Sequence, residues 1–182
     1  KKNQIIVSIV AGIKTPTIMK GLKHKKIVRV MPNTPAQIGA GISVWTATEE
    51  VTKKDRQSIR DILGTLGEEL YTNEEKYIDM ATAISGSGPA YTFVFIESLI
   101  EAGVYLGMNR EMASKLVLST ISGSTLLAQK TGKHPAELKD MIASPGGTTV
   151  EGLRELESNG FREAITKAVT SAYKKSLDLD KG

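Results

Sequence analysis

Two glycine-rich segments that carry hydroxyl side chains are the residues best suited to chemistry in this sequence. One covers residues 85–89 and the other residues 144–149, and each directly precedes a predicted helix. A glycine-rich turn at a helix start leaves backbone N–H groups unpaired, and the helix dipole favours an anion there. Each segment is therefore a candidate site for a small carboxylate or phosphate. The alternative is that the glycines only form the turn and the hydroxyls only cap the helix.

Other catalytic groups are scarce. A hydrolase elbow around Ser87 would need glycine at position 85, where the sequence has serine. His24 lies in a basic stretch and His134 precedes a proline at a helix start, so both are predicted to be structural or surface residues. Without cysteine the chain has no thiolate metal site, and with two histidines no metal centre is predicted. We therefore expect any chemistry to depend on a cofactor that the protein positions.

The composition is ordinary for a soluble globular protein, and the charge is basic. The net charge is +4, with most of the excess in residues 14–29. No aromatic side chains interleave with these lysines, which favours a solvated face over a nucleic-acid site. The apolar segment 91–108 contains Glu97 and Glu101, which is typical of a buried helix and not of a membrane span. The apolar run at residues 5–10 is too short for a secretory signal, so we expect a cytoplasmic protein.

The first seventy residues have the pattern of strands alternating with crossovers. A β-branched run at residues 5–10 is typical of a strand buried on both faces, and further strands are expected at residues 27–31, 41–47 and 69–71. A short helix is predicted at residues 17–23. A capping box at residues 52–55 should open another helix, which Gly67 should end. This order predicts the second half of an open α/β sheet.

From about residue 75 the sequence is helical. Pro89 suits the first turn of a helix to residue 107 that is apolar nearly all round and therefore expected to be buried. Asn109 should cap a helix over residues 110–130, and shorter helices are expected at 135–143 and 150–158. The last helix shows a core stripe from residue 161 to residue 179. The predicted fold class is thus α/β followed by all-α.

Several separated motifs together resemble the pyrroline-5-carboxylate reductase family. The resemblance covers essentially the whole chain, in the family's order and spacing. The motifs are VSIVAGI at 7–13, RVMPNTP at 29–35, SGSGPAY at 85–91, HP, LKD and SPGGTT within 134–149, and GL, LE and GFR within 152–162.

This resemblance implies an enzyme that reduces 1-pyrroline-5-carboxylate to L-proline by hydride transfer from NAD(P)H, the last step of proline biosynthesis. The implied cofactor is NADP, with NAD as the alternative. Residues 1–72 would be the C-terminal part of a Rossmann-like dinucleotide-binding domain, and residues 73–182 a helical dimerisation and substrate-binding domain that forms a homodimer. The family's glycine fingerprint for the cofactor does not occur in this chain, and the resemblance places it upstream of residue 1.

The resemblance also assigns roles to residues. Thr149 would be catalytic, as the hydroxyl nearest the ring nitrogen of the substrate. The implied cofactor-binding residues are Ala11, Gly12, Met31, Pro32 and Asn33. The implied substrate-binding residues are Ser144, Gly146, Gly147, Thr148 and Thr149, followed by Ser87 and Gly88.

Three other functions stay open at this point. A related reductase could share the same two-domain plan and act on another small carboxylate. A chain without the nucleotide fingerprint could serve as a non-catalytic dimerisation module. Nucleic-acid binding rests on net charge alone.

Overall fold

The chain forms two compact units. In the computed structural model, which describes residues 4–179, one unit consists of residues up to 90 together with those from 167 onward. The other unit consists of residues 91–166. The predicted boundary at residue 72 is a sequence-level division and stays a prediction.

The first unit contains a mixed four-stranded sheet in the order β1-β2-β3-β4. The β1–β2 and β3–β4 pairs are parallel and the β2–β3 pair is antiparallel. The predicted second and third strands are confirmed at the residues expected. The strands are β1 Ile6–Ser8, β2 Ile27–Met31, β3 Gly41–Ala47 and β4 Gly67–Tyr71.

The helices of this unit follow local capping signals. Thr52 accepts a hydrogen bond from the Asp55 amide, and Asp55 accepts one from the Thr52 amide, which confirms the predicted capping box. The helix that it opens ends at Gly64, so the prediction that Gly67 ends it is wrong: Gly67 already begins β4. The helices are α1 Thr15–Leu22, a 3₁₀ helix Thr34–Ile38, α2 Lys53–Gly64, α3 Lys76–Ala81 and a π-helical turn Thr82–Gly86.

Strand β2 is the centre of this unit, and all five of its residues are buried. Alternate side chains of a strand point to opposite faces. Val28 and Val30 pack with Trp45 of β3 and with α2 in one apolar cluster. Arg29 and Met31 lie on the other face, where Arg29 reaches Asp79 of α3. Strand β2 therefore fixes the elements on both of its faces.

The burial predicted for the first strand and for the last helix is wrong for the single chain. Strand β1 is an edge strand with partly exposed side chains, since among the described residues it pairs only with β2, and Val7 is 46% exposed. The stripe of the last helix, α8 Phe161–Asp178, contains only Ser176 as a buried residue, and Ile165 is exposed. A periodic apolar pattern specifies which face seeks cover, but the cover itself comes from other elements.

The helices after residue 87 lie where the sequence predicts. Asn109 caps α5, Arg110–Thr131, by accepting a hydrogen bond from the Met112 amide. The helix predicted to be buried is α4, Gly88–Tyr105, and it is exposed in the single chain: none of its residues is buried, and Phe93 is 61% exposed. No helix among the described residues is long and apolar enough to cross a membrane. The helices are α4 Gly88–Tyr105, α5 Arg110–Thr131, α6 Pro135–Met141, α7 Thr148–Ser158 and α8.

Candidate active site

A cavity of about 580 Å³ opens in the first unit beside the end of β2. Its walls come from the segment after β1, from the loop after β2 and from the π-helical turn before α4. Five of the residues that the sequence singles out share this cavity. They are Ala11, Met31, Pro32, Asn33 and Ser87.

Two hydrogen bonds accepted by Asn33 hold the loop after β2 in place. The Asn33 side-chain Oδ1 accepts a hydrogen bond from the Ile42 amide of β3 at 2.9 Å. The Asn33 carbonyl accepts one from the Ala36 amide at 3.1 Å, which starts the 3₁₀ helix. Pro32 carries no N–H, so it leaves no donor unpaired at the cavity wall. This loop therefore presents a fixed and mainly apolar surface.

Gly12 shapes the segment after β1 but does not line the cavity. Its φ is +76°, in the left-handed region that favours glycine. A Cβ at this position would lie 2.4 Å from Leu179 Cβ and 2.9 Å from the Ser176 carbonyl oxygen. Gly12 thus permits both the turn after Ala11 and the close approach of Ser176 and Leu179.

The third wall is a π-helical turn. The Ser87 amide donates to the Thr82 carbonyl at 2.8 Å, five residues back. The Thr82 and Ser85 hydroxyls donate to backbone carbonyls one turn earlier, at 2.8 and 3.0 Å. Such turns are rare and occur often at functional sites. Gly88 follows the turn as the first residue of α4 and does not line the cavity.

The second glycine-rich segment belongs to the second unit and precedes α7. The Gly147 amide donates to the Ser144 carbonyl at 2.9 Å, and Gly146 has a φ of +73°. Proline followed by a glycine of positive φ is the sequence of a type II turn. Gly147 is the N-cap residue of α7, and no side chain caps this helix. The first amides of α7, those of Thr148 and Thr149, therefore have no intrahelical partner and can donate hydrogen bonds to an anion.

Both histidines have structural partners. The Nδ1 atom of His24 accepts a hydrogen bond from the Lys26 amide, and that of His134 accepts one from the Ala136 amide at the start of α6. Among residues 4–179 no three His, Cys, Asp or Glu side chains form a group that could hold a metal ion. A hydrogen bond from Arg110 holds the pKa of exposed Glu101 below its usual value.

The sequence does not single out a buried charge network beside the cavity. Arg29 is fully buried, and its guanidinium donates to Glu75 at 3.0 Å and to Asp79 at 2.7 Å. The signal that could have found it is an arginine inside an otherwise apolar strand, because a buried charge needs a partner. Its two partners follow 46 and 50 residues later, beyond the reach of any local pattern.

Comparison with known proteins decides the family. The family model for pyrroline-5-carboxylate reductase dimerisation matches residues 75–179, more than half of the chain. The chain belongs to the pyrroline-5-carboxylate reductase family. It is 40% identical over 178 residues to the pyrroline-5-carboxylate reductase of Pisum sativum, covering 98% of this chain and 65% of the relative. It is 41% identical over 181 residues to the pyrroline-5-carboxylate reductase of Escherichia coli K12, covering 99% of this chain and 67% of that relative.

Solved structures of pyrroline-5-carboxylate reductases share the fold. The Plasmodium falciparum enzyme, whose crystal structure has NADP bound, matches with a TM-score of 0.94 and 40% identity over 97% of this chain and 71% of that chain. The Coxiella burnetii enzyme matches with a TM-score of 0.90 and 36% identity, covering 100% of this chain and 67% of that chain. The predicted fold class is confirmed. The chain spans about two thirds of the length of the curated relatives, 65% for the Pisum sativum protein.

Proposed function

We propose that this protein reduces 1-pyrroline-5-carboxylate to L-proline with a hydride from NADPH, and that NADH is the alternative donor. The observation that carries the proposal is family membership over nearly the whole chain, at 40% identity to the Pisum sativum enzyme. The arrangement of Ala11, Met31, Pro32 and Asn33 around one cavity supports it. The Plasmodium falciparum enzyme has NADP bound in its crystal structure, which favours that form of the cofactor here.

The cavity suits the nicotinamide end of such a cofactor. Its lining is mainly apolar on the side formed by Ile9, Ala11 and Met31, and a flat neutral ring packs well against such side chains. The chain contains no G-x-G-x-x-G segment after a strand, so we assign no residue of it to the pyrophosphate. The bound cofactor supplies the hydride.

The loop before α7 is proposed to bind the substrate carboxylate. Its exposed backbone amides and the α7 dipole favour a negative group at Thr148 and Thr149. The Thr149 hydroxyl then donates a hydrogen bond to the ring nitrogen, which makes the imine carbon electrophilic. Hydride addition to that carbon would convert the C=N double bond to a single bond, and the nitrogen would take up one proton from solvent through the Thr149 hydroxyl. We propose Ser144, Gly146 and Gly147 as further carboxylate contacts. Ser87 and Gly88 are secondary candidates for substrate binding.

Self-association is the second part of the proposal. Helices α4 and α5 expose large apolar side chains in the single chain, among them Phe93, Val94 and Leu116. The family model that matches residues 75–179 is described as a dimerisation domain. We propose a homodimer that covers these side chains. Because the chain has no cysteine, a reducing compartment fits, and we keep the cytoplasm as the proposed location.

The test is NADPH oxidation by 1-pyrroline-5-carboxylate, using the protein at the length its gene encodes and three forms: unchanged, Thr149→Val and Thr131→Val. Thr149→Val should lower kcat about 100-fold, as expected for the loss of one transition-state hydrogen bond. Thr131→Val is the matched control, since its hydroxyl donates to the Leu127 carbonyl of its own helix and accepts a hydrogen bond from the nearby Lys133 amide.

Each outcome has a distinct meaning. Full activity in Thr149→Val would limit Thr149 to a role in starting α7. Absence of activity in the unchanged protein, together with a stable dimer and no cofactor binding, would favour the non-catalytic dimerisation module.

A further inference from the structure

The buried Arg29 network joins three elements of the first unit. Arg29 lies in the middle of β2, fully shielded from solvent. Its Nη2 donates to Asp79 of α3, whose side chain is 3% exposed, and its Nη1 donates to Glu75 just before α3. Two charge-assisted hydrogen bonds from one planar guanidinium fix both distance and direction. Strand β2 and helix α3 are therefore held in one relative position.

Glu75 extends the network to α1. Its Oε1 atom also accepts a hydrogen bond from the Thr15 amide at 2.7 Å, and its Oε2 atom accepts one from the Thr15 hydroxyl at 2.9 Å. Thr15 is the first residue of α1, a helix that has no side-chain cap from its own N-cap residue. The carboxylate therefore satisfies an unpaired amide at the start of this helix, where the dipole favours a negative charge.

Each tethered element leads directly to a different wall of the cavity. Two residues after Arg29 the chain reaches Met31, and Pro32 follows. Three residues after Asp79 it reaches Thr82, the start of the π-helical turn, and four residues before Thr15 lies Ala11. The four residues reached in this way, Ala11, Met31, Pro32 and Thr82, all line the cavity. None of the network's own residues lines it.

We propose that Arg29, with Glu75 and Asp79, acts as a positioning cluster that sets the mutual placement of the three cavity walls. A buried ion pair is weak evidence for stability as such, because desolvation offsets its attraction and apolar replacements often fold equally well. What an apolar replacement cannot reproduce is the forked geometry that ties β2, α1 and α3 together. The cluster therefore affects the reaction rate by setting the positions of the cavity walls. The kinetic part of this inference rests on the proposed reductase function.

The experiment compares three altered forms of the protein at its natural length with the unchanged protein. Asp79→Asn keeps the shape but removes one of the two carboxylate charges that Arg29 faces. The combination Arg29→Met, Glu75→Gln and Asp79→Leu replaces the cluster by apolar and neutral groups. Ile59→Ala is the control, since Ile59 belongs to the apolar cluster on the α2 side and does not line the cavity. Glu75→Gln alone is the milder form should Asp79→Asn fail to fold.

The readouts are the unfolding midpoint, kcat and KM, and amide hydrogen exchange over residues 82–87. We expect both cluster variants to lose kcat about 10- to 100-fold with a smaller change in KM, as for a misplacement of reacting groups of about 1 Å. Exchange over residues 82–87 should become about tenfold faster. The apolar combination should have the unfolding midpoint of the unchanged protein but not its kcat. Ile59→Ala should lower the unfolding midpoint and leave kcat unchanged at temperatures below that midpoint.

Two results would overturn the inference. One is an apolar combination that recovers both midpoint and kcat, and the other is an Ile59→Ala protein that loses kcat as the cluster variants do. Should the unchanged protein lack reductase activity, the proposed function fails, and the exchange rates then decide the positioning role by themselves. Unchanged exchange over residues 82–87 in both cluster variants would refute it.

Discussion

Substituting Gly12 by alanine tests how tightly residues 176–179 pack against the turn after β1. Two costs are expected. The first is conformational, because a φ of +76° costs a residue with a Cβ about 1–2 kcal/mol. The second is steric: the new Cβ would lie 2.4 Å from Leu179 Cβ, about 1 Å closer than the optimal carbon–carbon separation of about 3.5 Å. Overpacking of this kind typically costs about 1–3 kcal/mol.

The sum predicts that Gly12→Ala destabilises the protein by about 2–5 kcal/mol. For a chain of this size that corresponds to an unfolding midpoint about 4–20 °C lower. The assay is thermal unfolding followed by circular dichroism, at one protein concentration because self-association would shift the midpoint.

Gly39 provides the control that separates the two costs. Its φ of +70° is similar, but a Cβ there would meet only the Thr65 carbonyl oxygen, at an ordinary 3.9 Å. Gly39→Ala should therefore cost only the conformational part, about 1–2 kcal/mol. Asparagine tolerates this backbone conformation, so Gly39→Asn should recover most of that loss, whereas Gly12→Asn should not.

Equal losses for Gly12→Ala and Gly39→Ala would refute the reasoning. They would mean that residues 176–179 do not pack against Gly12 in solution. Recovery in Gly12→Asn would lead to the same conclusion, because asparagine brings the same Cβ into the same space.

The remaining predictions concern helix α2. Thr52→Ala should lower the free energy of unfolding, measured by denaturant titration, by about 1 kcal/mol because the N-cap is lost. A change below a few tenths of a kcal/mol would show that the capping box does not stabilise the protein. Hydrogen bonds from Lys26 and then Thr52 hold the pKa of Asp55 below its ordinary value. A carboxylate whose pKa is lower in the folded than in the unfolded state stabilises the folded protein at pH values above its unfolded pKa of about 4. This contribution is lost as the pH falls through the pKa of the folded state. The stability gap between the unchanged protein and Asp55→Asn should therefore narrow as pH falls below about 4, and a constant gap from pH 7 downward would contradict it.

The sequence determined the elements of this fold because their signals are local. The β-branched run of β2, the capping box before α2 and the Pro-Gly pair before α7 each act within a few residues. The same holds for the amides exposed at the start of α7, which follow from the glycine-rich turn alone. The family motifs likewise gave the proposed chemistry and the residues of the cavity wall.

Only the tertiary structure decided which side chains meet and which are covered. Arg29 finds its carboxylates 46 and 50 residues away, and no local pattern encodes a contact of that span. The burial of β1 and α4 was predicted wrongly for a related reason. An apolar pattern shows that a surface gains free energy when it is covered, but the amount of cover depends on the elements that pack against it. Among the described residues β1 pairs only with β2, and α4 keeps large apolar side chains such as Phe93 exposed.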